Sequence, residues 1–511
     1  MLRKLKQLFI IFHQAPVRGQ KRKADDAELR DPFFKRIETM PSASRLANPK
    51  QYRDFQKPTP RVLNRRPPEA FGLPVTLYNS VLAKYQADAA GGIEPDDDDM
   101  EFVRELALKM GSVCFRDEGD RTNSFHELVE KYLGGTFVNY TFGDHRLTDG
   151  SIMYTNGDVK APLVNLEVKP ELGMGNGCAY IQSSIYYIEF IRHLRQNPSV
   201  TQSRLPTFQL YLAGVFYLGL YLTVVYFSIY MSSIHLSDYY FKYTGPYVGV
   251  AGAVFLDLPV CEPLTPVMPL FYLPHNKHMM LQTARMFKAL KVAIADLEAF
   301  YSQLFDQQHL NSRQQLTYPY INSVKINQTE AMLTYVNKLD SGQYVFQARL
   351  EGESVVARDV IVKFAETYSK ECHEGCYELG MAPELIVCEQ IAGGWFLVVM
   401  ELLTEHTTLF SLAQDGSLLR STAEVVKASV DRLHGEGFVH GDLRLPNIMM
   451  GPNNSIKLID FDCAGRSGEA VYLPFRNRQE IKWHPDAKLG GVIRVEHDLY
   501  MLNAEFTGLT K

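Results

Sequence analysis

At 511 residues the chain is too long for one ordinary core. A composition of 46% hydrophobic and 22% charged residues excludes a chain that is disordered throughout, so two or three folded domains are expected. The formal net charge of -5 is too small for this length to mark a nucleic-acid or membrane partner by charge alone. The 7 cysteines include no Cys-x-x-Cys pair, which suits free thiols in a reducing compartment.

The first residues, MLRKLKQLFIIFHQAP, place basic side chains before an apolar run that is short for a secretory core and lacks a small-residue cleavage pattern, so no signal peptide is read. Residues 1–70 are rich in Lys, Arg, Asp and Pro and are expected to be a disordered basic region. The run from Arg18 to Lys23 reads either as solvated charge or as a nuclear import signal, with a slight preference for nuclear entry of an intracellular protein. The acids Asp96–Asp99 suit the N-terminus of an amphipathic helix beginning near Met100.

Folded material is expected from Phe71 to about residue 310. Ser124–Leu133 reads as a helix. Thr148–Ile152 and Leu163–Lys169 read as strands separated by a turn at Asn156-Gly157, and a second helix covers Tyr180–Tyr187. Asp149 and Glu167 on neighbouring strands are candidate ligands for a divalent metal, and Lys169 beside them can orient or activate water. An acid and a lysine two apart on one strand also make an ordinary surface ion pair, and both readings stand. This order of helix, Asp strand, Glu-x-Lys strand and helix resembles the PD-(D/E)xK nuclease fold. Gln182 and Tyr186 match the Gln-x3-Tyr helix motif of one exonuclease branch. The resemblance implies contact with nucleic acid through this domain.

Leu205–Ile234 contains no charged residue, long enough for a membrane helix near 210–231. Removing 214–244 joins LPTFQLYLA to GPYVGVAGAVFLD, which reads as two adjacent strands. An insertion, such as translated intron sequence, is preferred to a single-pass membrane span. Further on, Met280, Phe287, Ile294 and Tyr301 repeat every seven residues with Leu290 and Leu297 on the same stripe. This predicts a long helix packed on its own domain.

A third region covers 320–511. Val360–Phe364 is an apolar strand carrying Lys363, suited to grip the α- and β-phosphates of ATP. Gly342 is the one glycine left in a candidate phosphate loop. Trp395–Leu403 reads as a strand entering a hinge, with Met400 as gatekeeper and the backbone of Glu401, Leu402 and Leu403 facing adenine. His440-Gly441-Asp442-Leu443-Arg444-Leu445-Pro446-Asn447 has the His-x-Asp-x4-Asn spacing of a catalytic loop, and Ile459-Asp460-Phe461-Asp462 follows as a metal-binding strand. Asp442 is the candidate base and Arg444 lies where a γ-phosphate cation sits. Asn447 and Asp460 are the candidate Mg²⁺ ligands. Glu371 is chosen as the helix carboxylate pairing Lys363, with Glu374 and Glu378 as alternatives. Cys372, His373 and Cys376 could form half a metal site, but buried thiols are preferred.

These motifs are similar to the kinase-like domains of fungal crinkler-related proteins, often found after a nuclease-like domain. They run from Val362-Lys363-Phe364 through Gly380–Leu385 and Val399-Met400-Glu401 to Glu496–Leu502. The resemblance implies an α+β protein of two domains: a nuclease-like α/β domain, then a two-lobed protein-kinase-like domain with a shortened C-lobe. It implies ATP and Mg²⁺ as cofactors and a nucleus-directed role in some members. Phosphorylation of a protein substrate is the favoured activity; a small-molecule phosphotransferase, or a nucleic-acid-binding protein with an inert kinase-like domain, is the alternative. Gly441 stands where protein kinases usually carry arginine, and few residues follow Asp498, so later docking helices are expected to be missing.

Overall fold

The computed structural model describes residues 26–507 apart from 67–69, 71, 113–114, 116–117, 143–145, 158, 170–177, 196–202, 214–245, 273–274, 307–315, 340–343, 354, 420, 474–476 and 478–480. The described chain is mixed α+β and divides near residue 320 into two compact units.

The first unit starts earlier than the sequence suggests. Helices α1 (Asp26–Ile37), α2 (Ala43–Leu46) and α3 (Pro49–Phe55) lie within the stretch expected to be disordered. Phe33 and Phe34 pack on Phe255, and the buried Arg30 donates to the carbonyls of Leu256, Phe255 and Ser203 at 2.6, 2.5 and 3.1 Å. A buried guanidinium with its donors satisfied ties α1 to the unit. The chain then adds Leu63 beside Val260 as a parallel bridge. The expectation of disorder therefore fails for 26–66, because apolar anchors are spaced among the charges. Arg18–Lys23 lies outside the described residues.

Three helices follow: α4 (Ser80–Ala87), α5 (Asp97–Ser112) with three acids in its first turn, and α6 (Glu118–Leu133). Strands β1 (Gly150–Asn156) and β2 (Val159–Lys169) form a hairpin turning at Gly157, whose φ of +59° suits glycine. Helix α7 (Ala179–Leu194) crosses to β3 (Thr207–Ala213), which pairs parallel to β2. Strands β4 (Tyr247–Phe255) and β5 (Pro259–Pro263) complete the path β1-β2-β3-β4-β5, and Met268–Pro269 pairs with β4. β3 and β4 pair antiparallel with Ala213 opposite Tyr247, the adjacency expected when 214–244 is set aside. Leu210–Ala213 is buried strand, so a membrane helix cannot begin there; residues 214–245 lie outside the described ones. Among the described residues no helix is long and apolar enough to cross a membrane. Helix α8 (Lys277–Asp306) buries Met280, Phe287, Leu290, Ile294, Leu297 and Tyr301, and Tyr301 donates to Pro206 O at 2.8 Å. The seven-residue stripe packs on its own unit.

The second unit opens with β6 (Ser323–Ile326), β7 (Thr329–Lys338), β8 (Tyr344–Gly352) and β9 (Val355–Ala365). Helix α9 (Lys370–Glu378) is capped by the Ser369 hydroxyl, which accepts from Cys372 N. Strands β10 (Leu385–Ile391) and β11 (Trp395–Glu401) close a six-stranded antiparallel sheet in the order β10-β11-β9-β8-β7-β6. The rest carries α10 (Leu409–Gln414), α11 (Thr422–Gly435), β12 (Phe438–Val439), β13 (Ile448–Met450), β14 (Ile456–Leu458), β15 (Gly465–Arg466) and α12 (Val495–Thr507). Its core joins Cys372 and Cys376 of α9 to Val426, Val430 and Leu433 of α11 and to Phe461.

Candidate active site

The catalytic-loop candidates hang between β12 and β13. Asp498, fully buried on α12, accepts from His440 N at 2.7 Å, Gly441 N at 2.9 Å and His434 Nε2 at 3.1 Å. A buried carboxylate with three donors fixes the loop from beneath. His440 donates from Nε2 to Ile459 O at 3.0 Å, tying this loop to the strand before Asp460.

Asp442 is gripped from two sides. Arg444 donates from Nε and Nη2 to its two carboxylate oxygens, each at 2.6 Å, and Asn447 Nδ2 donates to Asp442 O and Oδ2 at 2.9 Å. The fork geometry orients the carboxylate. Because the Asn447 amide nitrogen bonds Asp442, the amide oxygen is the atom that can ligand a cation.

Lys363, on β9 and buried, bonds Asp460 and lies 2.5 Å from Asp462 Oδ1. Burial disfavours its ammonium, but the charges of Asp460 and Asp462 override that and hold its pKa above the ordinary value. Asp460 is likewise opposed by burial yet kept below the usual carboxylate range by Lys363. Asp462 is pushed up by burial and by the charge of Asp460. Two carboxylates share one lysine, so the cluster holds more negative charge than its cation balances. Asp460 also has φ +72°, a conformation few non-glycine residues adopt, and such strain gathers at functional sites.

Phe461 is buried and stacks on His373 at 4.5 Å. His373 donates from Nε2 to Pro383 O at 2.9 Å, so its Nδ1 accepts from the Tyr368 hydroxyl at 2.7 Å. Burial pushes this imidazole down to about 4, with the charge of Lys363 adding to the effect. It is a neutral bracing residue, and Cys372 and Cys376 beside it are buried thiols. Among the described residues no group of three or more His, Cys, Asp or Glu side chains is set to hold a metal.

Glu371 does not pair with Lys363. It is exposed and bonds Arg466, whose guanidinium also lies 4.2 Å from the Phe438 ring. Glu374 pairs with Lys370 in solvent, and Glu378 is exposed too. All three glutamates lie on the outer face of α9 because Cys372, His373 and Cys376 take the inner one. Met400 is buried on β11 opposite Ile361. Glu401 donates from N to Glu384 O and accepts Glu384 N on its carboxylate. Leu402 is half-buried just past the strand, and Gly342 lies outside the described residues. Asp462 was not among the expected site residues. Its signal was an acid two places after Asp460.

In the first unit, Asp149 and the Glu-x-Lys pair do meet. Asp149 Oδ2 accepts Val168 N at 2.7 Å, between Glu167 and Lys169, and Lys169 Nζ lies 2.6 Å from the fully buried Glu167. Burial raises the Asp149 pKa against the pull of that amide and of Lys169. Gln182 is buried at the start of α7 and donates to the Tyr186 hydroxyl at 3.0 Å.

No family model matches the chain, and no curated protein does. Solved structures do match, among them the PK-1 kinase of Cydia pomonella granulovirus. It is 14% identical, with a TM-score of 0.29, over 35% of this chain and 67% of that one. So slight a likeness decides nothing about chemistry, which rests on the geometry of the site.

Proposed function

We propose that the unit after residue 320 transfers the γ-phosphoryl group of ATP to a hydroxyl of a protein substrate. The observation that carries the reading is the convergence of Lys363 with Asp460, and of Asn447 with Asp442, on one pair of linked loops. Asp442 would orient the acceptor hydroxyl and take its proton, while Arg444 fixes the carboxylate and adds positive charge near the transferred group. Lys363 would grip the phosphates, with adenine between the sheet and the hinge backbone of Glu401 and Leu402. The excess negative charge around Asp460 fits a divalent cation. Asp460 and the Asn447 oxygen would hold Mg²⁺, which neutralises phosphate charge when bound. Transfer of label from ATP and Mg²⁺ to generic protein acceptors tests the proposal. Asp442→Asn should abolish transfer and spare nucleotide binding, whereas Asp460→Asn should weaken Mg²⁺-ATP binding itself; equal transfer by wild type and Asp442→Asn would sink the assignment.

A second reading concerns the first unit. Asp149, Glu167 and Lys169 lie together at the ends of paired strands, and this supports a metal-dependent nucleic-acid site.

A further inference from the structure

Helix α9 offers Lys363 no carboxylate. Its inner face is occupied by Cys372, His373 and Cys376, all buried, and His373 is locked by Tyr368, Pro383 and Phe461. Turning a glutamate inward would bury an acid and expose two thiols and an imidazole that already has both its hydrogen bonds. The lysine's second counter-ion comes instead from the segment after the metal-binding strand. We infer that Asp462 is a positioning residue that keeps Lys363 aimed at the nucleotide phosphates, the task the sequence pattern assigned to a helix glutamate.

The inference rests on the phosphoryl-transfer reading and adds a role for a residue outside the expected site. Asp462 is well placed for it. Thr367 Oγ1 donates to its carbonyl at 2.9 Å, and Ser369 N donates to the preceding carbonyl, of Phe461, at 3.1 Å. Phe461 itself is anchored in the core. The backbone that carries the carboxylate is therefore tied to Thr367 and Ser369, in the stretch between β9 and α9. Asp460 cannot do this task alone, since a carboxylate shared with a divalent cation gives up much of its hold on a lysine. With Mg²⁺ on Asp460, Asp462 remains as the counter-ion that keeps a buried ammonium in register.

The test uses the full chain with ATP, Mg²⁺ and casein as acceptor. It compares wild type, Asp462→Asn, Asp462→Glu, Asp460→Asn and Glu371→Gln, each checked for folding by thermal melting. Asp462→Asn should lower kcat by roughly 10- to 100-fold, the scale of a misplaced catalytic group, while the Kd for Mg²⁺-ATP changes little. Asp462→Glu should recover part of the rate, and Glu371→Gln should match wild type. If Asp462→Asn does not fold, Asp462→Ser carries the same comparison. A wild-type rate in Asp462→Asn, an equal loss in Glu371→Gln, or a loss of Mg²⁺-ATP binding as in Asp460→Asn would each overturn the inference while leaving phosphoryl transfer intact. The last of these would make Asp462 a metal ligand. No transfer by wild type would instead remove the functional reading on which the inference stands.

Discussion

Gly441 shows why the residue before the candidate base is not arginine. Its φ is +76°, and a Cβ there would stand 2.6 Å from Cys463 O and 3.0 Å from Ile493 Cδ1. Any side chain meets both backbone strain and a carbonyl that the segment cannot easily move. Gly441→Ala should therefore cost about 2 kcal/mol of stability, read as a lowered Tm, and should slow transfer by displacing Asp442. His373 gives a second residue-scale test. Its folded pKa of about 4 lies below the ordinary 6.5 because the ring is buried. The unfolded chain binds the extra proton between those values, so stability rises with pH across that window and is lost as pH falls from 6.5 towards 4. Urea midpoints between pH 7 and 4.5 should decline, and His373→Gln should flatten the decline. An unchanged slope would show that other groups set the acid sensitivity.

At the scale of elements, what the sequence made legible rests on local signals. The β1-β2 hairpin was readable from its Asn156-Gly157 turn, the adjacency of β3 and β4 from the join left when 214–244 is removed, and the inward stripe of α8 from a seven-residue repeat. Two elements were not readable because their buried faces are set by packing. Phe33, Phe34 and Ile37 sit in a strongly charged stretch that hides their spacing, and Phe33 and Phe34 pack on Phe255, more than 200 residues away. In α9, glutamates at 371, 374 and 378 share one face, and only packing decides which face turns inward. The segment after Asp462 makes a prediction of its own. β15 pairs with β12, Ser467 N donates to Gly437 O at 2.9 Å, and Arg466 is bound to Glu371. Arg444 is bound to Asp442. Arg444 and Arg466, the first candidates among the described residues for reading a phosphate here, already hold carboxylates, and Gly441 has no side chain to add to them. Activity should therefore not depend on phosphorylation at Ser467. Ser467→Ala and phosphatase treatment should each leave the transfer rate at the wild-type value, and a large loss from either would show that one of these arginines changes partner.

At the scale of the molecule, two units raise the question of whether each carries chemistry of its own. The first unit brings Asp149, Glu167 and Lys169 together, and Glu167 is fully buried with Lys169 Nζ 2.6 Å away. A buried carboxylate is costly unless paired, so the lysine has a structural task whatever else it does. This makes Lys169→Ala a poor probe, since it takes a cation away from a buried carboxylate and lowers stability by several kcal/mol. Glu167→Gln is cleaner. It keeps the shape and hydrogen-bonding capacity of the side chain and removes the charge that a divalent cation needs. If the site cuts nucleic acid, wild-type protein should cleave DNA in Mg²⁺ or Mn²⁺ and not in EDTA. Glu167→Gln should then lose cleavage by 100-fold or more, on the order of a lost metal site, with its melting temperature close to that of wild type. Asp442→Asn in the other unit should cleave at the wild-type rate, which separates the two chemistries in one chain. Wild-type protein that cuts nothing in either metal would leave Asp149, Glu167 and Lys169 as a buried ion-pair cluster that holds β1 against β2.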